Sequence, residues 1–220
     1  MIKPHPRRID DLLLRHAAGA LDAGQSLLVE TYLDLSPAER RLHAQFEAIG
    51  GVLLDAIEPP PADPSALDRA LRALDSEERF RGASPRRTPK HPKMPEGFAL
   101  RGPLAEADIL PWRWIAPGVR SARVALPKGS ASRAFLLEIG PGIKIPRHGH
   151  DGVETTCVLR GGFRDGETHF CAGEIAHVDE TVEHDIVIDP GCPCLCLIAM
   201  EGRTRPGTFF GRLYQKLRDI

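Results

Sequence analysis

The sequence predicts a multi-domain α + β protein, a small helical bundle followed by an antiparallel β-barrel or sandwich. Three observations predict it. Apolar residues recur at threes and fours through the first 80 residues, a basic proline-rich stretch follows, and from Phe98 onward short apolar runs are parted by Gly and Pro. A chain of 220 residues is long enough for two units with their own cores. The expected divisions are 1–80 for the helices, 81–97 for a linker and 98–220 for the β domain.

"IDDLLLRHAAGAL" places Ile9, Leu12, Leu13, His16 and Ala17 on one stripe of a first helix. "GQSLLVETYLDL" gives a second, with Leu28, Tyr32 and Leu35 along a face. "SPAE" opens the third with an expected capping box: Ser36 as N-cap, Pro37 at N1 and Glu39 at N3. That helix continues through Leu42, Phe46, Ile49, Leu53 and Ile57 until "PPPADP", which cannot be helical. Beyond this hinge, "SALDRALRALDSEERF" reads as a fourth amphipathic helix with Leu67, Leu71 and Leu74 on one side. Such a module leaves an apolar stripe that either meets a partner or docks on the second half.

"RGASPRRTPKHPKMPEG" reads as an extended linker, and it has no aromatic residue for base stacking. The runs "RVALP", "RAFLLEIGPG", "ETTCVLRGGF", "EIAHVD", "DIVIDPG" and "CLCLIAM" then have the lengths and spacing of antiparallel strands.

The formal net charge of −1 is unevenly spread: residues 1–80 sum to −5, 81–97 to +4, and 98–220 are neutral. An acidic first third argues against direct nucleic-acid binding there and suits a basic partner or plain solvation. No run of about 20 apolar residues suggests a membrane span, and the N-terminus lacks the apolar core of a signal peptide. Five cysteines, all in the second half, do not resemble a secreted disulfide framework, so a cytoplasmic location is expected.

"RHGHDGVE" concentrates His148, His150 and Glu154 in eight residues. Along a strand, residues i and i+2 share a face, so the two histidines point together, and Glu154 joins them if "DGV" turns. His184, 34 residues after His150 and just before an apolar run, is a further candidate from a neighbouring strand. Imidazole and carboxylate suit zinc or another first-row divalent metal. His169 and His177 are expected at the surface. In "CPCLCL", Cys192, Cys194 and Cys196 alternate and would share one strand face, as small apolar wall residues or as a redox-responsive pair. Same-face neighbours lie about 6.5–7 Å apart along a strand, which disfavours a relaxed Cys194–Cys196 disulfide.

"GIKIPRHGHDGVETTCVLRG" fits the first cupin motif, G-x5-H-x-H-x3-E-x6-G, without a mismatch, and "CAGEIAHVDETVEH" resembles the second. The resemblance implies a double-stranded β-helix (cupin) barrel whose metal ligands are His148, His150, Glu154 and His184. Over nearly its whole length the chain is similar to the ChrR type of cupin anti-sigma factor. Besides the helical module, it shares "WRWIAPGV", "VLRGGFRDG" and a C-x-C at Cys194 and Cys196. That resemblance implies an anti-sigma-like helical domain that sequesters an extracytoplasmic-function sigma factor, and a cupin responding to singlet oxygen or organic peroxide. Members usually bind a structural zinc with a histidine ending helix 2 and C-x-x-C opening helix 3. This sequence has Tyr32, Ser36 and Glu39 there, and His5 is its N-terminal histidine. One zinc per chain, in the cupin, is therefore expected. Two alternatives remain: a dioxygenase-like cupin metalloenzyme using iron, nickel or manganese in a His3Glu site, or a cupin whose helices mediate homo-oligomerisation.

Overall fold

The computed structural model describes residues 6–61, 63–81 and 88–206. Four helices come first: α1 (Pro6–Ala17), α2 (Ala23–Leu35), α3 (Pro37–Asp55) and α4 (Ala66–Arg81). His5 lies outside the described residues. After the short α5 (Gly102–Glu106), all elements are strands. They are β1 (Arg113–Ala116), β2 (Val119–Val124), β3 (Ser132–Ile139), β4 (Lys144–His150), β5 (Glu154–Arg160) and β6 (Gly162–Asp165), then β7 (Thr168–Cys171), β8 (Ile175–Val178), β9 (His184–Ile188), β10 (Cys194–Glu201) and β11 (Thr204–Pro206).

The strands form a six-stranded sheet, β1-β2-β3-β10-β5-β8, and a five-stranded sheet, β11-β4-β9-β6-β7, with antiparallel pairing. The central strand β10 shows how the layers are built. Cys194, Cys196, Ile198 and Met200 face the second sheet and pack with Val158, Phe163, Phe170 and Ile188. Leu195, Leu197 and Ala199 face the other way and pack with Leu12, Leu13, Leu28, Val29 and Tyr32 of α1 and α2. The architecture is thus three layers, with helices on the outer face of the six-stranded sheet.

The second helix buries Leu28 and Tyr32 as its periodicity predicts, whereas Leu35 is exposed. Its start is fastened to the barrel. Asp22 caps α2 by accepting from the Gln25 backbone N–H, and the same carboxylate accepts from the backbone N–H and hydroxyl of Ser132. These bonds outweigh burial, so the Asp22 carboxyl titrates below its ordinary value. At the other end, Ser36 is the N-cap of α3 but forms no capping box, which corrects the expectation. Its hydroxyl donates instead to the Gly173 carbonyl, 2.9 Å away on the barrel. The side chain is turned toward the barrel to donate there, and its oxygen does not accept a backbone N–H of the first turn of α3, as a capping box requires.

The bundle itself is tied by His16 on α1 and His43 on α3, whose ring nitrogens Nδ1 and Nε2 stand 2.8 Å apart. Glu30 and Glu47 flank the pair at 3.8 and 3.6 Å. Beyond Phe46 the apolar residues of α3 find no cover. Ile49, Val52, Leu53 and Leu54 are exposed, as are Ile57 just after the helix and Leu67, Leu71 and Leu74 of α4. The apolar stripe therefore divides: α1 and α2 dock on the barrel, and the rest stays open among the described residues. Residues 88–97, read as linker, lie along the barrel. The Lys90 carbonyl accepts from the Ile109 N–H, and the Lys93 carbonyl accepts from the Trp112 indole.

Gly24 lies in the first turn of α2, where a Cβ would come within 2.2 Å of Ser132 Oγ. In an exposed helix Gly→Ala stabilises by up to about 1 kcal/mol; here Gly24→Ala should destabilise by about 1–3 kcal/mol through overpacking. Equilibrium unfolding of the full chain checks the sign.

Candidate metal centre

The three histidines are brought together by strand pairing. His148 and His150 alternate on β4, and His148 sits directly opposite His184 of β9. The β4–β9 pairing is irregular between Ile145 and His148, a kind of local kink that re-aims side chains. One ligand atom from each of His148, His150 and His184 lies within 4.8 Å of the others. His150 is fully buried and His184 nearly so.

For His148 and His184 the outer ring nitrogen has a partner that settles where its proton sits. His148 Nδ1 is 2.9 Å from the Pro146 carbonyl, and His184 Nδ1 is 2.8 Å from Asp165 Oδ2. A carbonyl and a carboxylate only accept, so both Nδ1 atoms carry hydrogen and both Nε2 lone pairs turn inward. His150 Nδ1 faces Glu154 Oε2 at 3.5 Å, while its Nε2 lies 3.1 Å from that of His184. With its proton on Nε2, His150 donates to His184; with it on Nδ1, toward Glu154, both Nε2 lone pairs face one point where a cation can sit. The donor set therefore fits a first-row divalent ion, held by imidazole nitrogens and oriented by a carboxylate behind one ring.

Glu154 is brought beside the cluster but does not join the three-atom group. It is buried against His150, and the Thr156 hydroxyl is 3.5 Å from its Oε1. Burial pushes its carboxyl up to about 7, against the pull of His184. Burial also opposes charge on His184, but the Asp165 hydrogen bond and charge outweigh it and raise its pKa. His148 shifts the other way, through burial and then His184.

Comparison with known proteins places the chain in a family. The ChrR cupin-like domain model matches residues 90–201. The chain is 34% identical over 206 residues to anti-sigma-E factor ChrR of Cereibacter sphaeroides, covering 94% of each. The chain belongs to the ChrR cupin-like family. Among solved structures, that of Rhodobacter sphaeroides SigE in complex with the anti-sigma ChrR matches with a TM-score of 0.67. The identity is 32%, over 87% of this chain and 96% of that one. The shared fold is a helical N-terminal region followed by a C-terminal antiparallel cupin-like domain, as the sequence predicts.

Asp165 is a site residue that spacing did not reveal. It ends β6 in "FRDGETHF", where Asp-Gly signals only a hairpin turn, and its reach to His184 depends on the pairing of β6 with β9. His169 and His177 stay out of the cluster, bonded to Asp189 and Thr155. Cys194 and Cys196 are buried with sulfurs 3.5 Å apart, and the Cys194 hydrogen bond and burial raise the Cys196 pKa well above the ordinary thiol value. Cys192, expected on the same strand face, is exposed and precedes β10. In the helical module Tyr32 is buried, and burial followed by the nearby Glu39 charge raises its phenol pKa.

Asp165→Asn should weaken metal affinity by about 10–100-fold, measured by competition with a chromophoric chelator. Affinity should also fall as pH drops from 8 to 6, because protons on Glu154 and His184 compete with the ion. The same competition assay across pH, with release of protons into a weak buffer, checks this.

Proposed function

We propose that this chain is an anti-sigma factor. In this reading it is a cytoplasmic transcription regulator whose helical module sequesters an extracytoplasmic-function sigma factor. Its cupin carries one zinc ion on His148, His150 and His184, with Glu154 as the fourth ligand, and responds to oxidative stress by singlet oxygen or organic peroxide. The observation that carries the partner assignment is the apolar surface on the second half of α3 and on α4. Val52, Leu53 and Leu54 are each more than 60% exposed, and Leu67, Leu71 and Leu74 continue the surface beyond the proline hinge. A helical module whose first two helices are committed to the barrel still offers two that are not. A relative named as an anti-sigma-E factor, and a matching structure of SigE in complex with the anti-sigma ChrR, each matched over most of both chains, support the same assignment.

Zinc is favoured over a turnover metal by the donor set. Three imidazoles and one carboxylate fill a tetrahedral zinc shell, which suits holding and sensing more than catalysis. The residues of the family's helical zinc motif are replaced here by Tyr32, Ser36 and Glu39, so apolar packing carries the module.

Metal analysis of the full-length protein should give one zinc per chain, lost in the double variant His148→Ala with His150→Ala. Iron or nickel in its place would instead favour the enzyme alternative. In co-purification with an extracytoplasmic-function sigma factor, Leu53→Asp with Leu71→Asp should reduce binding by about 30-fold or more. Both side chains are exposed, so the thermal midpoint should stay within about 2 °C of the parent. Retained binding by that variant would reject this surface as the interface.

A further inference from the structure

The loop between His150 and Glu154 is pressed against the end of β10. The Glu201 N–H donates to the Val153 carbonyl at 2.9 Å, and the Asp151 N–H donates to the Arg203 carbonyl at 2.8 Å. Contact is close enough to require glycine. A Cβ on Gly152 would meet the Glu201 carbonyl oxygen at 3.0 Å, and one on Gly202 would meet Asp151 at 3.1 Å. The loop that spaces two candidate ligands therefore cannot move without moving residues 201–203.

Glu201 turns its side chain away from that loop and toward the helices. Its Oε1 accepts from Gln25 Nε2 at 3.2 Å. Gln25 is 4% exposed, and its Oε1 has no hydrogen-bond partner among the described residues. The Glu201 carboxylate is thus the one anchor found for that side chain. Glu201 is also the register partner of Ser132, the residue that Asp22 holds at the start of α2. Metal loop, strand end and helix start meet in one polar seam.

We infer that Gln25 and Glu201 form the link by which the metal loop sets the seat of α2. The inference rests on the metal reading above and deepens it by naming how the centre reaches the helical module. With an ion on His150 and Glu154 the loop is fixed, Glu201 is fixed with it, and Gln25 is held at the first turn of α2. Loss of the ion, or damage to a ligand, loosens the loop and removes the anchor. Gln25 and Glu201 are positioning residues, acting through the loop rather than on the ion. The coupling is a difference in α2 seating between two states of the loop, and it is reciprocal.

The test is amide hydrogen exchange on full-length protein, zinc-loaded and chelator-stripped, with zinc content measured on the same samples. Stripping should speed exchange in residues 22–28 by about tenfold. In Gln25→Ala the loop 151–153 should still respond to zinc, whereas residues 22–28 should no longer do so. Glu201→Ala should behave alike, and Glu201→Gln, which keeps an acceptor oxygen, should retain the response. Gln25→Ala should also weaken zinc binding by the factor by which zinc protects α2 in the parent. The link is overturned if residues 22–28 ignore zinc in the parent, or respond undiminished in both alanine variants. If Gln25→Ala does not fold, Glu201→Ala tests the same contact from the other side. No sigma factor is needed, so failed sequestration leaves the link standing, while a protein that takes up no metal overturns link and centre together.

Discussion

The contact between α2 and the outer face of the six-stranded sheet is the constraint on which the rest of the molecule depends. An antiparallel sheet usually leaves one face to water, but here both faces of β10 are covered. Leu195, Leu197 and Ala199 are fully buried beneath the helices, and Cys194, Cys196 and Met200 are almost fully buried on the inner side. A one-residue slip of β10 would exchange these two sets, placing leucines where the barrel has room for cysteines. The helices therefore help fix the strand register that aligns Met200 with Glu154. Removing them would strip cover from the strand that forms the wall of the barrel carrying the histidine cluster.

This docking also decides what the helical module has left to offer. The apolar faces of α1 and α2 are absorbed by the sheet, and Leu42 and Phe46 of α3 pack partly against the same core. The apolar residues of the remaining turns of α3 and the leucines of α4 are left exposed. These half- to two-thirds-exposed leucines would each gain about 1–2 kcal/mol on burial. A surface of this kind is stable in water only as a partner site or an aggregation liability. Charged residues of both signs interleave with it, Asp55, Glu58 and Asp68 beside Arg69 and Arg72.

Much of this was legible in the sequence because periodicity and motif spacing are local. The helix stripes, the strand runs and the H-x-H with its later histidine all follow from patterns within a few tens of residues. The contacts that were not legible join residues far apart. Asp165 reaches His184 only through β6–β9 pairing, and Asp22 reaches Ser132 across 110 positions. Ser36 shows how a local rule is overridden: Ser-Pro-Ala-Glu has every feature of a capping box, but the barrel presents a carbonyl that takes the hydroxyl instead. "CLCLIAM" held a clue in plain view. An unbroken apolar strand in an antiparallel sheet implies cover on both faces, and so implies that helices lie on the outside.

The same strand explains why the centre and the helices are hard to uncouple. One strand thickness separates the residues touching α2 from Met200, which faces Glu154 in register, and from the Cys194–Cys196 pair. Interiors packed at crystal-like density transmit displacement rather than absorb it. A change in volume on the inner face, such as oxygen added to a buried sulfur, has no slack to fill beside fully buried neighbours. The displaced strand must push on the loop at 151–153, on the helices, or on both. Since Glu201 ends that strand and carries the Gln25 contact, the polar seam and the apolar wall respond to the same movement. The histidine cluster and the helices are neighbours through a single strand, because the wall beside the cluster is also the floor on which the helices stand.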